Sequence, residues 1–351
     1  VAGRRGNAVG KQGRIGCLQG GTTEMKTLMI TGRKVKEVLT PAVAIDTVER
    51  AFRAYSLGEA DMPPKSYLNF PKGDLRSMPA YLHGQGFDMA GIKSVNVHLG
   101  NAKLGLPTVM ALIVLVDPGT GFPLAVLDGT LLTSLRTGAA GAVAARHLSR
   151  KDAKTVGFIG CGVQARTQLA CLREVRKLER IRVWKFRPDD LLAPRFSRWV
   201  RRTFGMDVDV SEDIDAVTEG VDIVVTTTPS REPLVRRVSP GTHINAIGAD
   251  AAGKEEIHPA VLKSARIVVD DWVQASHSGE INVPLAKGEI TEKNIHGTLG
   301  DIITGRKKGR TSGKEITLFD STGLAVQDVS CAEVVFRKAA KQKGVRAIRF
   351  F

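Results

Sequence analysis

The chain has 351 residues, 42% apolar and 25% charged, which is the make-up of a globular protein of about two domains. It lacks a run of about 18 apolar residues, so no membrane-spanning helix is expected, and its four cysteines (Cys17, Cys161, Cys171, Cys331) suit neither a metal site nor a disulfide framework, which points to a reducing cytoplasm. The formal charge of +15 is spread along the chain with no zinc finger, helix-turn-helix or RNP motif beside it, and so reads as a solvated basic surface that attracts acidic ligands, with no nucleic-acid partner.

Residues 1–24 are rich in Gly and Arg, lack apolar periodicity and have no secretory h-region, so they read as a disordered tail. A strand is expected at Thr27–Ile30. Thr40-Pro41 then starts a helix, an N-cap followed by Pro at the first helical position. Ala44, Val48, Ala51, Phe52 and Tyr55 recur along it at helical spacing, and Gly58 closes it. Strand-like pieces follow at Ser66–Phe70 and 92–96. The apolar run Val109–Val116, the turn Asp117-Pro118-Gly119-Thr120-Gly121 and the return over 123–127 predict a hairpin. Residues 26–130 therefore form an α+β unit with antiparallel pairing.

An Ala-rich helix over 134–148 leads into a second unit. From Lys154 onward strands are expected at Thr155–Ile159, 181–184, 222–226, 243–247 and 266–269, separated by amphipathic stretches, which is the pattern of a doubly wound parallel sheet. The periodicity of the strand at 316–319 and the helix at 326–341 leaves open which unit they complete.

The first strand of this α/β unit runs into Gly160-Cys161-Gly162-Val163-Gln164-Ala165, a G-x-G-x-x-A sequence directly before a helix. Gly160 permits a tight turn, Gly162 lets the backbone approach a pyrophosphate, and Ala165 allows close helix–strand packing. The free N–H groups of the helix start at Val163 then face the phosphates. A glycine turn with no ligand is the bland alternative, but strand, loop, helix and next strand are all in place. After the second strand, where an acid would hold the ribose 2′-hydroxyl of NAD, the sequence has Lys185-Phe186-Arg187. Two cations there favour the 2′-phosphate of NADP over NAD, although Asp189 and Asp190 follow closely.

The motifs Met62-Pro63-Pro64-Lys65, Leu75-Arg76-Ser77-Met78-Pro79, Gly91-Ile92-Lys93, Leu106-Pro107-Thr108 and Thr133-Ser134-Leu135-Arg136-Thr137-Gly138 precede the glycine loop. Thr227-Thr228-Pro229-Ser230, Ile247-Gly248-Ala249-Asp250 and Phe319-Asp320-Ser321-Thr322-Gly323-Leu324-Ala325 follow it. With them, residues 26–351 resemble the ornithine cyclodeaminase/mu-crystallin family, and within it the archaeal alanine dehydrogenases. The resemblance implies an α/β fold: a Rossmann unit over 136–323 plus a discontinuous α+β substrate and dimerisation unit, 25–135 completed by 324–351. It implies a homodimer, Lys93 and Asp250 as catalytic residues, and Lys65 and Arg136 facing a substrate carboxylate. It also implies that Ser134, Arg136, Thr137, Thr227 and Ser321 line the cofactor, with Thr228 beside them.

The residues make chemical sense of this. An amino-acid substrate or its 2-oxo acid needs cations for its carboxylate, and Lys65, Arg76, Lys93 and Arg136 supply them. Oxidation at C2 needs a group to move protons, and Asp250 follows a strand end, where doubly wound sheets bind ligands. Spacing alone does not separate Lys93 from Lys103, and a loop cap is the bland alternative for Asp250. His98 and His243 have no evident partner. The family hosts alanine dehydrogenation, ornithine cyclisation to proline, and imine reduction or cofactor binding of the mu-crystallin kind, so fold does not decide function. Cyclodeaminases carry a Glu where this chain has Arg76, and an Arg there opposes a distal substrate ammonium. The expectation is a small amino acid such as alanine.

Overall fold

The structure is a computed structural model and describes residues 25–351; the tail expected over residues 1–24 lies outside the described residues. After strand β1 (Thr27–Ile30) and helix α1 (Gly32–Val38), helix α2 (Pro41–Ser56) starts where the sequence places it. The Thr40 hydroxyl accepts from the N–H of Val43 at 3.4 Å. One face of α2, with Ala44, Ile45, Val48, Ala51 and Phe52, is buried.

Strands β2 (Ala60–Asp61), β3 (Ser66–Phe70), β4 (Gly73–Leu82), β5 (Met89–Val97), β6 (Val109–Val116) and β7 (Pro123–Asp128) follow. Strand β4 is absent from the sequence reading, because Arg76 and Pro79 break its apolar alternation. Register explains why Pro79 is tolerated. Strand β3 pairs with residues 73–77 of β4 and β2 with Tyr81 and Leu82, so Pro79 falls in the gap between them. The first sheet runs β2, β4, β5, β6, β7, β1, with β3 also on β4.

Helix α3 (Gly129–Leu148) begins five residues earlier than its Ala-rich stretch suggests, because Asp128 at the end of β7 caps it through the N–H of Thr130 at 2.9 Å. It is buried almost throughout, and its small residues are what allow this. A Cβ on Gly138 would lie 2.5 Å from the carbonyl oxygen of Thr167, so the next helix approaches directly.

The second sheet is built from β8 (Thr155–Ile159), α4 (Val163–Val175), β9 (Arg180–Trp184), α5 (Leu192–Phe204), β10 (Asp209–Ser211), α6 (Asp215–Thr218) and β11 (Ile223–Thr226). Then come β12 (Arg231–Val235), β13 (His243–Ala246), β14 (Glu255–Ile257), α7 (Pro259–Ser264) and β15 (Ala265–Val269), of which β12 and β14 stand apart as a parallel pair of their own. Helices α8 (Trp272–Ser278) and α9 (Asn282–Ala286), strand β16 (Ile295–Thr298), helix α10 (Leu299–Ile303) and strand β17 (Ile316–Asp320) complete it. Its order is β10-β9-β8-β11-β13-β17-β15-β16 and every pair is parallel, so the order reverses beside β8.

Helix α11 (Ala325–Ala339) then packs on β4 and β5, and β18 (Arg346–Ile348) pairs with β1. The chain thus returns to the first sheet, which periodicity alone left open. One continuous core joins the first sheet with α2, α3 and α11 and reaches Val268 and Phe319 of the second sheet. No helix among the described residues is long and apolar enough to cross a membrane.

Candidate functional site

The glycine loop sits at the C-terminal end of β8, where the strand order reverses. Gly160 has φ of +107°, and a Cβ there would lie 2.7 Å from the Thr227 hydroxyl, so this turn needs glycine. Gly162 caps α4 without any side-chain hydrogen bond, and a Cβ on it would meet nothing within 4 Å. Open space in front of unsatisfied helix N–H groups fits a dinucleotide pyrophosphate. Ala165 is buried against the sheet and Val163 is exposed at the mouth.

Beside this loop a cleft of about 240 Å³ lies between the two sheets. From the first sheet and its helices, Lys65, Arg76, Lys93, Arg136 and Thr137 reach it; from the second come Gln164, Thr227, Thr228, Asp250, Lys254, Ser321 and Thr322. The second group follows the ends of β8, β11, β13 and β17, where open α/β sheets bind ligands. Ser134 is spent inside α3, its hydroxyl donating to the Thr130 carbonyl at 3.2 Å.

Strand register puts Lys93 opposite Met78 and Arg76 opposite Val95, so all four share the face covered by α11. Lys93 is 1% exposed, whereas Lys103 is exposed on a 3-10 turn, and burial is the distinction that spacing lacked. The Lys93 ammonium lies 2.7 Å from Asp328 Oδ2, and Arg136 Nε donates to Asp328 Oδ1 at 2.9 Å. Gln327 Oε1 accepts from Arg136 at 3.0 Å. Burial and the Arg136 guanidinium bring the Lys93 pKa down to about 7, against the opposing pull of Asp328. Burial likewise lowers Lys65 to about 8, and its ammonium donates to the Thr322 carbonyl at 2.6 Å.

Arg76 lines the cleft, but carboxylates take its guanidinium. It donates to both oxygens of Asp74 at 3.1 and 3.0 Å, and its Nη1 donates to Asp250 Oδ2 at 2.9 Å and to the Asp250 carbonyl at 3.2 Å. Lys254 donates to the other Asp250 oxygen at 2.5 Å. Burial pushes the Asp250 pKa up, but Arg76 and Lys254 together outweigh it and hold the carboxyl well below its usual range. Asp250 is therefore ionised and held on both oxygens.

Sequence reading missed Asp328, Gln327, Asp74 and Lys254. Gln327-Asp328 inside the apolar start of α11 was the available signal, since a buried acid demands a partner. The tempting His243 is structural: its ring is buried, hydrogen-bonded to Thr317 and Asn245 at 3.0 Å each, and pushed by burial down to about 3. Lys185 and Arg187 lie outside the cleft. Lys185 pairs with Glu212 at 3.1 Å, and Arg187 rests over the ring of Phe186 at 4.7 Å.

The sequence model of the ornithine cyclodeaminase/mu-crystallin family matches residues 25–343. The chain belongs to this family. It is 50% identical over 331 residues to an alanine dehydrogenase of Archaeoglobus fulgidus, covering 93% of this chain and 99% of that one. Among solved structures it resembles an archaeal alanine dehydrogenase dimer with bound NAD, at 50% identity, with a TM-score of 0.88 and coverage of 93% and 100% of the two chains. It also resembles the Thermococcus litoralis Δ1-pyrroline-2-carboxylate reductase in complex with NADH and L-proline, at 37% identity, with a TM-score of 0.87 and coverage of 91% and 99%.

Proposed function

We propose that the chain catalyses the reversible oxidative deamination of L-alanine, or a similarly small amino acid, to the 2-oxo acid and ammonia with a nicotinamide dinucleotide. One observation carries the reading: a buried lysine with a pKa near neutrality, Lys93, shares a cleft with a carboxylate held ionised, Asp250. Similarity to the Archaeoglobus alanine dehydrogenase supports it. When bound, the cofactor supplies the hydride acceptor or donor.

In this reading Lys65 and Arg136 hold the substrate carboxylate by charge-assisted hydrogen bonds. Lys93, its proton affinity lowered by burial and the Arg136 guanidinium, exchanges protons with the substrate amine and the carbinol oxygen. Asp250 accepts a proton from the attacking water, and Arg76 with Lys254 orients it. The pyrophosphate rests on Gly160, Gly162, Val163 and Gln164, with Ala165 packing behind, and Thr137, Thr227, Thr228 and Ser321 flank the nicotinamide side, Ser134 standing behind them inside α3. Arg187, and Lys185 once released from Glu212, favour a 2′-phosphate, so we read the cofactor as NADP(H) at least as readily as NAD(H).

We further read residues 25–135 with 324–351 as the substrate and dimerisation unit and 136–323 as the Rossmann unit. Exposed Leu68, Phe70, Leu99, Leu104, Leu106 and Leu112 on and around the first sheet give a homodimer an apolar face to bury. Free, buried Cys161, Cys171 and Cys331 suit the cytoplasm. The test is cofactor reduction by the purified protein with alanine, ornithine, lysine and proline, each with NAD and NADP, and the reverse reaction with pyruvate and ammonium. A protein that reduces neither cofactor with alanine, yet converts ornithine or reduces a cyclic imine, belongs to one of the family's other activities.

A further inference from the structure

A second cavity, of about 170 Å³, lies behind the substrate cleft between α2 and α10. Tyr55, Ser56, Thr298, Asp301 and Arg306 line it, and so does Asp270, which follows β15. Asp270 is 1% exposed. It also accepts the Thr322 hydroxyl at 2.9 Å on Oδ1, and the N–H groups of Thr322 and Gly323 at 2.7 Å each on Oδ2. Thr322 in turn stands in the wall of the substrate cleft. One hydroxyl and one carboxyl therefore separate the two cavities.

Deamination of alanine consumes one water and yields pyruvate, ammonium, the reduced cofactor and one proton. That proton must leave a cleft whose ionisable groups are nearly all buried. We propose that Thr322 and Asp270 form a proton relay from the substrate cleft to the second cavity, an inference that rests on the amino-acid dehydrogenase reading above. The Thr322 hydroxyl takes a proton from the cleft and passes its own to Asp270 Oδ1, and Asp270 releases it to water in the second cavity. No electron moves, and each O–H bond formed is matched by one broken. The reverse reaction runs the relay inward.

The surroundings suit Asp270 to this work. Burial raises its carboxyl to about 6, while Lys65 and the Gly323 N–H and Thr322 hydroxyl bonds pull the other way. Asp271 adds like charge on the second-sheet side, where burial and Asp270 itself push the neighbouring Asp320 up to about 8. Tyr55 from α2, and Asp301 and Arg306 around α10, face it across the second cavity. A carboxyl with that affinity both accepts and releases protons near neutrality.

The test uses the full-length wild-type protein with T322V, T322S and D270N. Stopped-flow with a pH indicator follows proton release alongside cofactor absorbance during alanine oxidation. T322V and D270N should slow proton release by ~10²-fold and raise the solvent deuterium isotope effect. T322S should recover most of the rate, and formate, small enough for the second cavity, should rescue D270N. Wild-type proton release and an unchanged isotope effect in both T322V and D270N overturn the relay. Infrared difference spectra of the protein without substrate, wild type minus D270N, separate this from a wrong substrate. They should show an Asp270 carboxyl that titrates near pH 6 and exchanges rapidly with deuterium. A carboxyl that neither titrates nor exchanges overturns the relay even if alanine is not the substrate.

Discussion

Lys93 and Asp328 meet at 2.7 Å in a place where neither touches bulk water. Asp328 also holds Arg136, so one carboxylate from the C-terminal helix anchors two cations of the cleft. This fixes Lys93 in the cleft and moderates the repulsion from Arg136. Replacing Asp328 by Asn removes the counter-charge, so the Lys93 pKa, already about 7, falls further. The acid limb of the pH profile for alanine oxidation should move to lower pH. Stability should drop by about 3–5 kcal/mol, the usual cost of stranding buried charge. A D328N protein with an unmoved pH profile leaves Asp328 a purely structural role. Lys93→Ala should keep the fold and cofactor binding but lose most of kcat.

The same lysine sets a sign for stability against pH. Its folded pKa of about 7 lies below its ordinary value, so between pH 7 and the unfolded pKa the unfolded chain binds more protons than the folded one. The Lys93 contribution to stability therefore rises with pH through that window and is smallest below pH 7. Denaturant titrations of wild type and Lys93→Met at pH 6.5 and 9 isolate it. The difference between the two proteins should shift in favour of wild type at the higher pH, and a shift of the opposite sign contradicts the burial of a lysine near neutrality.

Asp250→Asn should keep one oxygen for Arg76 while removing the proton acceptor. Turnover should fall by ~10²–10⁴-fold, with little change in cofactor affinity, because Asp250 lies beyond the glycine loop in the cleft. Loss of stability with turnover retained would make Asp250 a tether for Arg76 and require another base.

Much of the fold was legible because its signals are local. Thr40-Pro41, the apolar run before the 117–121 turn and the glycine loop each name their own structure. Strand β4 was not legible: its alternation holds in burial, but Arg76 occupies a core-facing position that only the distant Asp250 and Asp74 make tolerable. Asp328 was hidden for the same reason. Its value depends on Lys93 and Arg136, which lie 235 and 192 residues away in sequence (328 − 93 and 328 − 136). Nor does sequence separate Lys93 from Lys103, since the choice is made by strand register and the helix packed above it. The family motifs pointed to these residues by resemblance, while the charges that neutralise them had to be seen.

Arg76 bears on the choice among the family's activities. Its guanidinium occupies both oxygens of Asp74 and one of Asp250, and Lys254 takes the other, so neither carboxylate is left for a distal ammonium. A substrate with a second amine must bury that charge beside a guanidinium. The protein should give no net conversion of ornithine to proline. Proline formation at a rate comparable to alanine oxidation would overturn the small-substrate reading.

The cofactor preference can be decided at the end of β9. No acid follows Trp184 to claim a ribose 2′-hydroxyl; Lys185 and Arg187 stand there instead. Arg187 lies over Phe186 and pairs with no carboxylate among the described residues, whereas Lys185 is engaged at 3.1 Å by the exposed Glu212. A 2′-phosphate carries up to two charges and competes with Glu212 for this lysine. Charge-assisted contacts contribute about 1.5–3 kcal/mol each at best, and solvent exposure reduces that. NADP(H) should bind at least as tightly as NAD(H), with the difference shrinking as salt rises. Replacing Lys185 and Arg187 together by Ser should weaken NADP(H) far more than NAD(H), and Glu212→Gln should strengthen NADP(H) by releasing Lys185. Calorimetric titration of both cofactors into the three proteins reads all of this at once. A wild-type protein that strongly prefers NAD(H), as the NAD-bound and NADH-bound structures of its relatives allow, would mean that Glu212 keeps Lys185 and that Asp189 or Asp190 holds the ribose.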